Sequence, residues 1–289
     1  MTELYQNLSR EQADICGLVL TSSGIFYRTK KRKSGWMVWV NNKDFARALS
    51  SISLYFEENP ELQFNVQTPA DKHRKTFTGI WMAIILMVFY VAIGEDNQAF
   101  IKIYGSSADH ILKGEVYRTA TSLMLHVDAV HLVGNMAAIA LFGSVVCSVM
   151  GIGTGWLMIL LTGMTGNYAN ACLYQTHHLA VGASTAIFGA IGIIATHQFW
   201  RKMALPGEKM KAWLPLAGGL GLLAMLGSGG GRVDLMAHLF GFGAGLTIET
   251  LYTLLIKRVL PVAYQAGCFA VAAGILLISW LWPVLMTHG

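Results

Sequence analysis

Beyond residue 76 the chain is a succession of apolar stretches broken by short polar pieces. A helix needs about 20 apolar residues to cross the hydrocarbon core of a bilayer. By that measure seven spans are predicted, at 77–94, 129–149, 155–174, 184–200, 213–229, 235–256 and 262–285. Some are short, but a span lined by protein carries Gly and polar groups that a lipid-facing one cannot. Residues 95–128 form a long loop between the first two spans. Its apolar pieces, Ala99-Phe100-Ile101 and Val116-Tyr117-Arg118, are too short to cross. Long ordered loops tend to be functional, and a helix lying in the interface is expected here.

The pattern before residue 77 is different. Residues 9–22 read as a helix. Ile25 to Arg28 and Trp36 to Val40 read as two strands, joined by a basic turn containing Gly35. Asp44 to Glu57 reads as an amphipathic helix, stopped near Asn59-Pro60. The predicted fold class is therefore an all-α polytopic membrane protein with a small N-terminal α+β domain. The expected divisions are a cytoplasmic domain at 1–60, a linker at 61–76, a six-helix core at 77–256, and a seventh helix with its tail at 257–289. The small domain carries no chemical motif and reads as a regulatory or packing module.

Composition supports the division. The chain is 54% hydrophobic and 13% charged, against roughly 25% charged in soluble domains. A net charge of +5 could suggest nucleic acid, but the basic residues lie in Lys30-Lys31-Arg32-Lys33 and in short loops. Lys72 to Lys75, the group Arg201, Lys202, Lys209 and Lys211, and Lys257-Arg258 all fall on one side if there are seven spans. The positive-inside rule makes that side the cytoplasm, with the N-terminus inside and the C-terminus outside. No nucleic-acid partner is expected. The polar, acid-containing N-terminus predicts no cleavable leader. Cys16, Cys147, Cys172 and Cys268 lie far apart, which implies neither a disulfide nor a metal site, and no cofactor is expected.

Ionisable and polar groups inside spans are costly and usually functional. Three clusters stand out. Gly182-Ala183-Ser184-Thr185 opens the fourth span, where a glycine two residues before a serine lets the backbone turn tightly. Ala237-His238-Leu239-Phe240-Gly241 lies near the outer end of the sixth. Gly241 and Gly245 form a small-x-x-x-small face close to that of His238, suited to tight helix contact. His131 and Asn135 enter the second span one turn apart and point the same way. Each cluster alone also fits ordinary helix packing or a polar clamp between helices. Together they describe acyl transfer: Ser184 as nucleophile, His238 as base, and His131, Asn135 and the Ser184 N–H as oxyanion donors. No acid is placed for a triad, since Asp234 lies one turn outward of His238. Phe188, one turn after Ser184, could support the imidazole by stacking.

These motifs, in this order and spacing, resemble the rhomboid intramembrane serine proteases across roughly residues 77–256. The matching elements are His131-x-x-x-Asn135, Gly182-x-Ser184 and Ala237-His238-x-x-Gly241-x-x-x-Gly245. The resemblance implies a six-helix core, a Ser184–His238 dyad, an oxyanion role for His131 and Asn135, and a water-filled cavity open to the outside. The family's first external loop carries a Trp-Arg pair. Tyr117-Arg118 stands in that place, so Arg118 carries over as a loop-structuring residue. The seventh span resembles the six-plus-one arrangement of secretase-type rhomboids. The N-terminal domain resembles the cytoplasmic domain of some bacterial ones, which implies a bacterial inner membrane. The implied substrates are transmembrane proteins in the surrounding bilayer. The rival readings are a catalytically silent rhomboid relative that binds membrane proteins, and a transporter with broken helices, which would need repeat halves that the sequence lacks.

Overall fold

The computed structural model describes residues 1–32, 35–59, 76–203, 209–227, 234–256 and 259–287. The chain divides into two compact units, Met1–His73 with Arg201–Met210, and Arg74–Trp200 with Lys211–Gly289.

In the first unit, a sheet of order β1-β3-β2 packs against two helices. Strand β1 (Thr2–Leu8) precedes helix α1 (Arg10–Ser22), and the hairpin of β2 (Tyr27–Arg32) and β3 (Gly35–Val40) leads to α2 (Phe45–Glu58). The strand β1 corrects the reading of a merely polar N-terminus. Its pairing with β3 shifts register twice, between Glu3 and Tyr5 and between Tyr5 and Leu8. Leu4, Tyr5 and Leu8 are buried without a period of two, so the usual strand signal is erased. The hairpin forms as expected, but β2 runs from Tyr27 into the basic residues rather than from Ile25. Its exposed cations sit on a sheet edge, where charge opposes pairing with other chains. The turn residues 33–34, residue 60 and residues 61–75 of the linker lie outside the described residues. A capping box of Ser9 and Gln12 starts α1. Leu4, Cys16, Leu20, Val38, Val40 and Ile52 form the centre of this core.

The second unit is helical. Helix α3 (Thr78–Ile93) continues through a short turn into α4 (Asn97–Tyr104). A two-residue strand β4 (Ser106–Ser107), α5 (Ala108–Leu112) and α6 (Arg118–Thr121) complete the segment up to the next span. The expected single interfacial helix is thus three short ones. Helix α7 (Ala129–Ala138) passes through a π-helical turn at Ile139–Gly143 into α8 (Ser144–Met150). Then follow α9 (Ile152–Tyr174), β5 (Leu179–Ala180), α10 (Ser184–Met203), α11 (Leu214–Gly227), α12 (Leu235–Leu255) and α13 (Val262–Thr287). Among the described residues, three runs are both long and apolar enough to cross a membrane on their own terms: Thr78–Tyr104, Ala129–Met150 and Val262–Leu285. Helices α9, α10 and α12 are long but spend their composition on contacts with each other. They bury Thr162, Asn167, Asn170, Thr185, Thr196 and Glu249. That lowers their hydropathy and marks them as the protein-facing layer.

Small residues set how closely this layer packs. A Cβ at Gly241 would strike the Thr185 carbonyl, and one at Gly245 the Gly189 carbonyl. At Gly192 it would meet the Phe242 carbonyl and come within 3.1 Å of the Gly245 Cα, and at Gly166 it would come within 2.8 Å of the Gly241 nitrogen. Backbone therefore meets backbone along α9, α10 and α12, the packing that small-x-x-x-small faces permit.

Candidate active site

Ser184 is the first residue of α10. The first four N–H groups of a helix have no partner within it, so the Ser184 N–H is free to donate. The approach to it is tightly held. Gly182 has a φ of 124°, a conformation that side chains resist. Its N–H donates to the Ser122 carbonyl at 3.0 Å. Just before it, β5 pairs antiparallel with β4, Ser106 opposite Ala180 and Ser107 opposite Leu179.

His131 and Asn135 converge on the same point. A Cβ at Gly182 would lie 2.7 Å from His131 Nε2 and 3.6 Å from Asn135 Nδ2. The bare glycine leaves room for the imidazole and the carboxamide beside the start of α10. Asp128 caps α7 by accepting from the His131 N–H at 2.8 Å, and Asn135 Nδ2 donates to the His131 carbonyl at 3.0 Å. One of the two Asn135 amide hydrogens is thus used and the other is available. The His131 ring also meets the His126 ring edge-on, with centroids 5.2 Å apart.

His238 lies one turn into α12 and is 7% exposed. Phe188 of α10 stacks on it at 4.5 Å, with the planes 24° apart. The face of α12 carrying Gly241 and Gly245 is the face against α10. His238 Nδ1 is buried without a hydrogen-bond partner. Ser184 and His238 line one cavity of about 580 Å³ together with His131, Asn135, Gly182 and Phe188. Their side chains do not bond directly here. Catalytic hydrogen bonds often tighten only when substrate is present.

Asp234 is occupied elsewhere. Its Oδ1 accepts from the Ala237 N–H at 3.0 Å and caps α12, while Oδ2 accepts from His178 at 2.6 Å and from Asn170 at 2.7 Å. Among the described residues, no cluster of His, Cys, Asp and Glu has the make-up of a metal site.

Arg118 is 5% exposed. It donates to Glu115 at 2.7 Å and to the carbonyls of Lys102 and Gly105 at 3.0 and 3.2 Å, knotting the segment between the first two spans. Burial raises the Glu115 carboxyl, but the bonds from Arg118 and Tyr117 outweigh it and leave the acid below its usual range. Burial, reinforced by the Glu115 contact, pushes the Tyr117 hydroxyl up to about 12. Sequence reading missed Asn167. This side chain of α9 donates to the Thr119 carbonyl at 2.9 Å and to Ser122 Oγ at 3.1 Å, and so fixes the residue that holds Gly182. A lone Asn in a mixed span gives no pattern, and its partners lie 48 and 45 positions away. His178 and Asn170 were missed for the same reason.

A helical membrane protein whose polar side chains converge from three helices on one internal cavity is the class these features define. A Rhomboid domain is matched over residues 113–256, and the chain belongs to the rhomboid family. It is 28% identical over 141 residues to the putative rhomboid protease YdcA of Bacillus subtilis, covering 49% of this chain and 69% of that protein. It is 29% identical over 215 residues to rhomboid-like protease 3 of Toxoplasma gondii, covering 69% and 79%. It is also 26% identical over 188 residues to inactive rhomboid protein 1 of Rattus norvegicus, covering 59% and 21%. Membership therefore establishes an integral membrane protein of protease or protease-like function, and the chemistry must be argued from the site.

Proposed function

We propose that the chain is an active intramembrane serine endopeptidase that cuts other membrane proteins in or near their transmembrane segments. The observation that carries this reading is the packing around Gly182, where His131 Nε2 and Asn135 Nδ2 face the start of the helix that bears Ser184. Ser184 Oγ attacks the scissile carbonyl carbon, and His238 accepts its proton. The carbonyl oxygen becomes an oxyanion held by His131, Asn135 and the Ser184 N–H. The C–N bond breaks as His238 returns the proton to the leaving amine, leaving an acyl-enzyme. Water then attacks the ester, again losing a proton to His238, and releases the acid and the serine. Asp234 takes no direct part, so the unit is a dyad, with Phe188 stacking on the imidazole in place of an orienting acid.

Cleavage requires neither metal nor other cofactor. The substrate is a transmembrane segment that can unwind, because an exposed backbone is costly in lipid and helix-breaking residues lower that cost. The six-helix core at 77–256 acts with its N-terminal domain in the cytoplasm and its seventh helix ending outside, in a bacterial inner membrane. Reporter fusions at both termini test that orientation.

The deciding experiment uses the purified full chain with a single-span substrate and a fluorophosphonate probe. Wild type is expected to cleave and to label at Ser184, with chelator present throughout. Ser184→Ala and His238→Ala are each expected to lose cleavage, and the double variant to be no worse than either, because groups acting as a unit are not additive. Turnover at the wild-type rate by Ser184→Ala would sink the mechanism. Correct folding without labelling or cleavage would leave the silent, binding form of the family.

A further inference from the structure

The carboxylate of Asp234 ties together three segments that meet at the site. Through Oδ1 it caps the helix that presents His238 one turn later. Through Oδ2 it accepts from Asn170, near the end of α9, and from His178, in the segment leading to Ser184. The His178 ring lies flat on Tyr174, with centroids 3.9 Å apart and planes 12° apart. The carbonyl of His178 accepts from the Ala108 N–H at 2.9 Å, and β5 begins at the next residue. His178 is therefore fixed by stacking, by a backbone bond and by the carboxylate. Its side chain and that of Asp234 are 25% and 15% exposed, which shields the pair more than a surface ion pair.

We propose that His178 and Asp234 are positioning residues for the reaction. They form a clamp that sets the segment carrying Ser184 against the start of the helix carrying His238. The inference rests on the serine-protease reading of that site. Both oxygens of Asp234 already accept hydrogen bonds within the protein, so the carboxylate has a structural task although it borders the cavity. The clamp works through geometry rather than charge alone. A neutral His178 with its proton on Nε2 donates to Asp234 as a charged one does. Asp234 makes no bond to His238, whose Nδ1 is without a partner, so an acid so near the dyad is not its third member. Only Gly182 and two residues separate the end of β5 from Ser184, so a slip at His178 passes along taut backbone to the nucleophile. A misplacement of about 1 Å can cost ~100-fold in rate.

The test separates positioning from simple stability. His178→Ala removes the donor. His178→Gln keeps an N–H near the place of Nε2. In the full chain, His178→Ala is expected to lower kcat by about tenfold or more with KM little changed, and to slow fluorophosphonate labelling of Ser184 in parallel. His178→Gln is expected to recover most of both losses. In an Asp234→Ala background, His178→Ala is expected to have little further effect, because the two act through one bond. Labelling of His178→Ala at the wild-type rate would overturn the clamp while leaving the serine chemistry standing. So would equal losses in His178→Gln and His178→Ala accompanied by equal falls in melting temperature, the mark of mere scaffolding. Failure of the wild type itself to label would overturn the protease reading, and the clamp with it.

Discussion

At the scale of single residues, two histidines beside the cavity behave differently because of what surrounds them. His126 is fully buried, and neither ring nitrogen has a hydrogen-bond partner; the Met124 backbone lies near the ring without forming a well-aligned bond. Burial, helped by the positive charge that His131 can carry, lowers its pKa from 6.5 to about 4. The folded state therefore binds fewer protons than the unfolded chain between those values. Stability rises with pH through that window and is lost as pH falls from 6.5 toward 4. The shift corresponds to a loss on the order of 3 kcal/mol at its lower end. His126→Phe should remove this dependence, so the melting temperature of the variant should gain on wild type as the solution is acidified from pH 7 to pH 5. A constant difference would show that His126 titrates normally. On the proposed mechanism, His131 and Asn135 bear on rate instead. Loss of one oxyanion donor costs about 2.7–4 kcal/mol in serine hydrolases, or roughly 100- to 1,000-fold in kcat. Asn135→Ala should fall in that range with residual activity, since the Ser184 N–H remains. His131→Ala should fall further, because its ring also packs on His126. Wild-type kcat in both variants would place the oxyanion elsewhere.

At the scale of elements, the relevant distance is the gap between α10 and α12, and glycine sets it. This contact is legible in the sequence on one side: the four-residue spacing of Gly241 and Gly245 points to a packing face near His238. The structure places Gly241 on the Thr185 carbonyl and Gly245 between Gly189 and Gly192. A valine there meets backbone, which cannot swing aside as a long side chain can. Overpacking costs typically 1–3 kcal/mol. Gly241→Val should lower both melting temperature and cleavage rate, being one turn from His238. Gly245→Val should lower melting temperature with a smaller share of the loss in rate. Two unchanged melting curves with full activity would remove the link between this contact and the dyad. Other elements were not legible. The first strand lost its alternation to register shifts, and the small sheet of β4 and β5 has only two residues a side, below what any periodicity can reveal. Asn167, Asn170, His178 and Asp234 form their bonds across 45 to 64 positions of chain. Such pairs appear only once the helices are folded together.

At the scale of the whole molecule, the seventh helix is attached at both ends rather than merely alongside. Toward one end, Gln265 donates from Nε2 to the Met150 carbonyl at 2.9 Å and accepts at Oε1 from the Thr154 N–H at 2.9 Å. It thereby serves the last turn of α8 and the first turn of α9, whose backbone groups have no partner within their own helices. Gly153 has no side chain because the Gln265 backbone occupies the space. Fifteen residues on, about 22 Å along a helix, Trp280 lies against Tyr104 at 4.5 Å and Phe89 at 4.8 Å, with Phe100 at 6.4 Å. Tyr104 in turn meets Tyr117, beside the Arg118 knot, edge-on at 6.4 Å. Lipid tails are as apolar as a helix surface, so such specific contacts are what hold α13 in place. The two attachments should therefore be separable. Trp280→Ala should speed hydrogen exchange in the segment 97–121 and leave residues 150–155 protected. Gln265→Leu should do the reverse, stranding two backbone groups at about 1–3 kcal/mol each. Removing residues 261–289 should loosen both regions, lower the melting temperature by more than either point variant, and slow cleavage through the segment 97–121. Hydrogen exchange on the three variants checks this directly. If truncation leaves both regions as protected as in the full chain, α13 rests on the core without organising it, and the segment 97–121 is ordered by Arg118 and its partners alone.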